Sequence, residues 1–212
     1  MQPQIRNKIK VVAIVNKFLE NDMKEIGVLI LAAGESKRMG KSKQLLSWGS
    51  NNFLDHTINQ ASSLNSKICV VLGANSKKIA NNIKNNTKII VNQNWKKGIG
   101  SSLSYGTKIF GKDKEALLIL LCDQPLISSD FLNLMLKKYN SNCDKIIATS
   151  YNKRAGVPAI FPKKYFSDLE LLNKDFGASK FMLNEKSNTI LIDPMGKNID
   201  IDTQEQYEAL IS

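Results

Sequence analysis

The stretch IGVLILAAGESKRMGKSKQL, Ile26 to Leu45, sets a strand directly against a basic loop. Ile26 to Leu31 is an unbroken apolar run rich in branched residues, the pattern of a parallel strand buried on both faces. From Leu31 the chain enters a loop that carries Gly34 and Gly40 together with Lys37, Arg38, Lys41 and Lys43. The carboxyl ends of strands are where open α/β sheets bind ligands, and glycines there let backbone amides approach phosphate oxygens while cations supply countercharge. The loop is therefore expected to hold a polyphosphate. Charge runs are more often solvated loops, but one placed immediately behind a buried strand favours the binding role.

Two familiar phosphate loops do not fit. Gly40, Lys41 and Ser42 match the end of a P-loop, yet five residues separate Gly34 from Gly40, one more than that motif allows. The dinucleotide pattern GxGxxG lacks its second glycine and its downstream acidic residue, which disfavours a nicotinamide or flavin enzyme.

Outward from this stretch, helical and strand patterns alternate. Phe53 to Leu64 reads as a helix and Lys67 to Leu72 as a strand followed by Gly73, Ala74 and Asn75. Ser76 to Ile83 reads as helix, Lys88 to Val91 as strand, Ser101 to Phe110 as helix and Ala116 to Leu121 as a buried strand. Ser128 or Ser129 is a suitable N-cap for a helix through Tyr139. Lys145 to Thr149 and Val157 to Phe161 look extended, Tyr165 to Leu172 and Ala178 to Leu183 helical, Thr189 to Ile192 a strand, and a last helix ends at Ile211. Repeated βα units followed by a less regular, antiparallel-looking third imply an α/β, three-layer architecture with a mostly parallel, mixed sheet.

With 212 residues and 42% hydrophobic content the chain can bury a core, and no polar linker divides it. Residues 23–212 are read as one domain. Residues 1–22 form an extension of uncertain role, in which Val11 to Val15 would add an edge strand or an interaction segment; Met23 is an alternative start. A net charge of +11 favours anionic ligands, but without an arginine-rich tail or an aromatic RNA-binding motif, phosphorylated metabolites suit it better than nucleic acid. Cys69, Cys122 and Cys143 are widely spaced and odd in number, which points to neither disulfides nor zinc and fits a reducing cytoplasm. No run is long enough to span a membrane. His56, the single histidine, is read as structural.

Asp123 follows ALLILL, so its carboxylate emerges at the same sheet edge as the basic loop. That suits Mg²⁺, which takes one or two carboxylates and keeps water and substrate phosphates as its other ligands; the alternative is a turn-capping aspartate. Gln124 and Pro125 then turn the chain away.

LAAGESKRMGKSKQL, GIGSSL, LLCDQP, GVPAIF, KDFGAS and IDIDT occur in this order from Ile26 to the C-terminus. In this the chain resembles the MobA-like nucleotidyltransferases, most closely the molybdenum cofactor cytidylyltransferase branch. The resemblance implies a Rossmann-like nucleotidyltransferase fold and Mg²⁺-dependent transfer of a nucleoside monophosphate to a phosphorylated acceptor with release of pyrophosphate. It implies phosphate-binding and catalytic roles for Arg38 and Lys43, and a magnesium role for Asp123 that Asp202 of IDIDT would share. Asp202 alternatively faces the acceptor or caps the last helix. Nucleotide contacts are expected at Leu31, Ala32, Ala33, Gly34, Gly40, Lys43, Gly73, Gly98 and Ser102, and acceptor contacts at Gln124, Pro125 and Asp175. Ala33 stands where guanylyl-transferring relatives carry glycine, which implies CTP. The acceptor would be of molybdopterin type, with a molybdenum hydroxylase as client. The chain departs from the branch at Cys122, Lys174 and Ser179, which replace glycine, glycine and arginine. Loss of that arginine leaves another phosphorylated acceptor open. A GTP-using transferase and a non-catalytic nucleotide- or cofactor-binding accessory protein are the remaining alternatives.

Overall fold

In the computed structural model, residues 25–173 and 177–212 are described. The extension at 1–22, with the segment Val11 to Val15, and Asp175 lie outside these residues. The elements run β1 (Ile26–Ala32), β2 (Ser47–Trp48), β3 (Asn51–Asn52), α1 (Phe53–Ser62), β4 (Lys67–Leu72), α2 (Ser76–Ala80), β5 (Lys88–Val91), α3 (Ile99–Phe110) and β6 (Ala116–Leu121). They continue as α4 (Ser129–Asn140), β7 (Ile146–Tyr151), β8 (Arg154–Pro162), α5 (Phe166–Glu170), α6 (Ala178–Asn184), β9 (Thr189–Ile192) and α7 (Gln204–Ile211).

Seven strands form one mixed sheet in the order β5-β4-β1-β6-β8-β7-β9. β1 lies between β4 and β6 and is parallel to both, while β8 runs antiparallel to β6 and β7. The expected α/β sandwich is what the chain adopts; within this sheet the antiparallel pairs are those made by β8, and β2 and β3 form a separate two-stranded antiparallel sheet. Alternation along β1 makes the three layers: Val28 and Ile30 pack with Leu54, Leu132 and Met135 on one face, Leu29 and Leu31 with Leu103, Phe110 and Leu169 on the other. Each such Leu or Ile contributes about 1.5–3 kcal/mol on full burial. Gly106 has no Cβ to keep α3 off the sheet, since a Cβ there would lie 2.6 Å from Leu29.

Helix limits follow local chemistry. The Ser128 side chain accepts from the Phe131 amide and starts α4, and a Thr203–Gln206 capping box starts α7. α2 is shorter than the expected Ser76 to Ile83 and ends at Ala80, where the asparagine-rich stretch that follows favours turns. Met39, Leu46, Phe53, Ile201 and Tyr207 form a third, smaller cluster. It fastens the basic loop to the C-terminal segment, and the Tyr207 hydroxyl reinforces it by donating to the Ser47 carbonyl at 3.0 Å. Among the described residues no helix is long and apolar enough to cross a membrane.

Candidate active site

β1 and β6 end side by side, and a cavity of about 790 Å³ opens beyond them. The loop after β1 forms one wall. Its shape depends on Gln44, only 2% exposed, whose Nε2 donates to the carbonyls of Ala32 and Gly34, both at 2.9 Å. The Lys43 amide donates to Ser36 Oγ at 3.1 Å, which closes the loop on itself. Gly40 ends a single helical turn at φ 65°, a conformation that favours glycine.

This fold of the loop points Lys43 inward. Its Nζ donates to Asp123 Oδ2 and to Asp202 Oδ1, both at 2.7 Å, and Arg38 donates to Asp202 Oδ2 at 2.8 Å. Lys43 and Asp123 are largely enclosed, with side chains 14% and 19% exposed, whereas Arg38 lies mostly in solvent at 69%. Burial disfavours the Lys43 ammonium, but the Asp123 charge and hydrogen bonds to both carboxylates outweigh it and raise its pKa. The hydrogen bond from Lys43, ahead of the charges of Lys43 and Arg38, holds the Asp202 carboxyl below its ordinary value. Lys43 and Asp202 are therefore both ionised at neutral pH. Asp123 Oδ1 is buried and has no hydrogen-bond partner.

The opposite wall is the N-terminal turn of α3. Gly98 and Ser102 line the cavity there, with Trp95 and Ile99 beside them. Asn92, 2% exposed, donates from Nδ2 to the hydroxyls of Ser101 and Ser102, both at 3.1 Å, and so fixes this turn. Free amides at a helix N-terminus add further affinity for anions.

The residue pattern of the MobA-like NTP transferase domain matches residues 28–189. The chain belongs to the MobA-like NTP transferase family. Among curated relatives of this family member, the bifunctional protein GlmU of Buchnera aphidicola subsp. Schizaphis graminum is 33% identical over 144 residues, 66% of this chain and 31% of its own length. The chain thus spans about a third of the GlmU relatives it matches. A probable molybdenum cofactor guanylyltransferase of Bacillus mycoides is 20% identical over 191 residues, 87% of this chain and 95% of its own. Rv0371c from Mycobacterium tuberculosis H37Rv superposes with a TM-score of 0.75 at 22% identity, over 88% of this chain and 97% of that one. It has also been solved in complex with manganese, a structure that superposes at a TM-score of 0.70 with 21% identity over 88% of this chain and 97% of that one. At these identities the likeness to the solved structures is one of fold.

The cavity of this MobA-like protein brings together Leu31, Ala32, Ala33, Gly34, Arg38, Lys43, Gly98, Ser102, Asp123 and Asp202. Gly40 and Gly73, expected at the nucleotide, do not line it. Gly73 lies behind the wall, where a Cβ would fall 2.5 Å from Trp95 Cβ and 2.7 Å from the Ala33 carbonyl; its role there is close packing. Gln124 faces a neighbouring cavity of about 500 Å³, and its Nε2 donates to Asp200 at 2.7 Å, the Tyr151 hydroxyl at 2.6 Å and the Val157 carbonyl at 3.2 Å. Pro125 lines neither cavity; its carbonyl lies 3.0 Å from His56 Nε2, a contact that fits the structural reading of His56. Cys122 is buried beside Asp123, and burial pushes its thiol pKa far up, so it packs as a small apolar residue. Gln44, Trp95, Tyr151 and Asp200 went unnoticed in the sequence. The alternation of IDID was the available signal for Asp200; the others had none.

Proposed function

We propose that this nucleotidyltransferase transfers CMP from CTP to the phosphate of a molybdopterin-type acceptor and releases pyrophosphate. The observation that carries the reading is the convergence of Lys43, Asp123 and Asp202 at the carboxyl ends of β1 and β6, inside a cavity walled by a basic glycine loop and a helix N-terminus. An acceptor phosphate is already nucleophilic at neutral pH, so its attack on the α-phosphorus needs no general base. The protein's work is positioning and charge stabilisation. Loop amides, Arg38 and Lys43 receive the negative charge that builds on the leaving pyrophosphate, while Gly98 and Ser102 hold the nucleoside end. That Ala32–Gly34, Gly98 and Ser102 line one cavity supports reading residues 23–212 as a single working domain.

The residues fit a divalent cation. Asp123 Oδ1 is buried without a partner, and among the described residues no group of three or more His, Cys, Asp or Glu gathers as a metal cluster. Two carboxylates and no histidine suit magnesium, which retains waters and accepts substrate phosphates as ligands. Asp123 and Asp202 would hold it, and when bound it supplies charge neutralisation at the phosphate oxygens.

CTP is favoured because Ala33 lines the cavity in a sequence, LAAG, that resembles the cytidylyl-transferring branch. GTP is the second candidate, since the Bacillus relative is named as a guanylyltransferase. Pyrophosphate release measured with Mg²⁺ and molybdenum-loaded molybdopterin, comparing CTP, GTP, ATP and UTP, tests the assignment. Release with CTP alone is the expected result. A preference for GTP would overturn the weight placed on Ala33, and silence with every nucleotide from folded protein would point to another acceptor or to a carrier without chemistry.

A further inference from the structure

Six described residues other than glycine adopt positive φ: Ser36, Asn65, Asn75, Asn152, Lys153 and Met195. Asparagine visits this region at little cost, whereas serine, lysine and methionine are held there against the crowding of Cβ by the backbone. Ser36, at φ 58° and ψ 40°, is the one of the six that lines the first cavity. It reverses the chain, and its carbonyl accepts from the Met39 amide at 3.0 Å. That turn carries Arg38 out to Asp202 and Met39 into the third cluster. The same loop meets the same backbone requirement with glycine at Gly40, φ 65°.

What serine has and glycine lacks is a hydroxyl, and Ser36 Oγ accepts from the Lys43 amide at 3.1 Å. Lys43 opens a single helical turn, Lys43–Leu45, so its amide has no partner within that turn. The bond joins the two ends of a segment that contains both Arg38 and Lys43, the cations that meet Asp202. Gln44 fixes the start of the loop, at Ala32 and Gly34; the Ser36 bond closes the part that bears the charges. Strained residues of this kind persist where the surrounding structure over-determines them, and they gather at ligand clamps.

Resting on the nucleotidyltransferase reading, we propose that Ser36 is a positioning residue: through the Lys43 amide its hydroxyl fixes the spacing between the Lys43 ammonium and the Arg38 guanidinium, so that both reach the same pyrophosphate as it leaves. Ser36 touches no reacting atom in this role. Displacing a positioned group by about 1 Å can cost on the order of 100-fold in rate, and loss of the hydroxyl frees the segment that carries both cations.

Four side chains at position 36 separate the hydroxyl from the backbone. Serine and threonine carry it, alanine and glycine do not; threonine is more strained than serine at positive φ, and glycine less strained than alanine. The probe is inorganic pyrophosphate with Mg²⁺, its affinity read by isothermal titration calorimetry beside the Tm of each protein. Ser36→Ala and Ser36→Gly should both weaken pyrophosphate about 3- to 10-fold, the net worth of one hydrogen bond, although Ser36→Gly has the higher Tm of the two. Ser36→Thr should lose Tm yet keep most of the affinity. Affinity that follows Tm instead, with Ser36→Gly binding as well as the unmodified protein and Ser36→Thr as poorly as Ser36→Ala, would leave only a backbone role and overturn the proposal. Absence of binding by the folded unmodified protein would overturn it too. Affinity sorted by the hydroxyl in a protein that releases pyrophosphate from no nucleotide would retain the clamp and sink the transferase reading.

Discussion

Replacing Lys43 by Met isolates the electrostatics of the site, because the unbranched side chain preserves most of the stem's packing and removes only the ammonium. The wild-type ammonium sits 2.7 Å from a carboxylate oxygen of both Asp123 and Asp202. Without it, Asp123 loses its only ion pair among the described residues, whereas Asp202 retains Arg38 at 2.8 Å. Removing one partner of a fully buried pair costs about 3–5 kcal/mol. This site is open on one side and the Asp202 side chain is 34% exposed, so solvent screening and the remaining Arg38 reduce the cost to about 2 kcal/mol. For a domain of this size that corresponds to a fall in Tm of about 4–8 °C.

The same substitution makes the carboxylates a better cation site, since an entering divalent ion no longer has an ammonium to displace. Thermal unfolding with and without Mg²⁺ or Mn²⁺, at matched ionic strength, should show the metal raising the Tm of Lys43→Met by more than it raises that of the unmodified protein. Turnover with CTP should nevertheless fall on the order of 100-fold, as for loss of a preorganised electrostatic donor. An unchanged Tm together with an equal metal response in the two proteins would refute the account of Lys43 as the countercharge of Asp123 and Asp202.

Gly73→Ala would drive a methyl group into Trp95 and the Ala33 carbonyl; a loss of about 1–3 kcal/mol in urea unfolding is expected from overpacking, with weaker CTP quenching of Trp95 fluorescence. Lys153→Gly should raise stability by about 1 kcal/mol, because a non-glycine residue in the left-handed region carries a steric cost that glycine escapes, and the urea midpoint reads it directly. Burial, only partly offset by the Pro125 hydrogen bond, depresses the His56 pKa below its ordinary 6.5. The unfolded chain therefore binds the extra proton first, and stability should decline as pH falls from 6.5 through the lower folded value. Comparing Tm across that range with His56→Gln, which cannot titrate, should show a shallower decline in the variant.

The strands were legible from their apolar runs. Lys67–Leu72 and Ala116–Leu121, inside the sheet, fall where those runs place them because burial in a three-layer sandwich leaves little choice of residue, and the half-buried edge strands Lys88–Val91 and Thr189–Ile192 do so as well. β8 is longer than its apolar run, Arg154–Pro162 against Val157 to Phe161, since the hairpin pairing with β7 continues it past the core. Side-chain roles were less legible. Gly73 and Gly34 both require the absence of a Cβ in a reading by type, yet one makes room for Trp95 and the other borders the cavity. Gln44 looks like one more polar residue in a basic loop; only the fold shows that it is buried to satisfy two carbonyls. Trp95 lies between Asn94 and Lys96 in a stretch without periodicity.

The IDID segment explains why two cavities keep a fixed relation. Ile201 is 2% exposed in the third cluster, and its amide donates to the Asp123 carbonyl at 2.9 Å, which pins the segment against the end of β6. Asp202 then meets Lys43 and Arg38 in the first cavity, while Asp200 meets Gln124 at the second. Consecutive residues after β6, Asp123 and Gln124, are thus matched to alternate residues of the C-terminal segment. A slip of one residue in either direction would bury an aspartate in place of Ile201 and turn Ile201 towards Lys43 or Gln124, at a cost set by an uncompensated buried charge. Register is therefore held by the hydrophobic cluster, and the spacing between the carboxylate that faces the first cavity and the one that faces the second is set by the backbone itself.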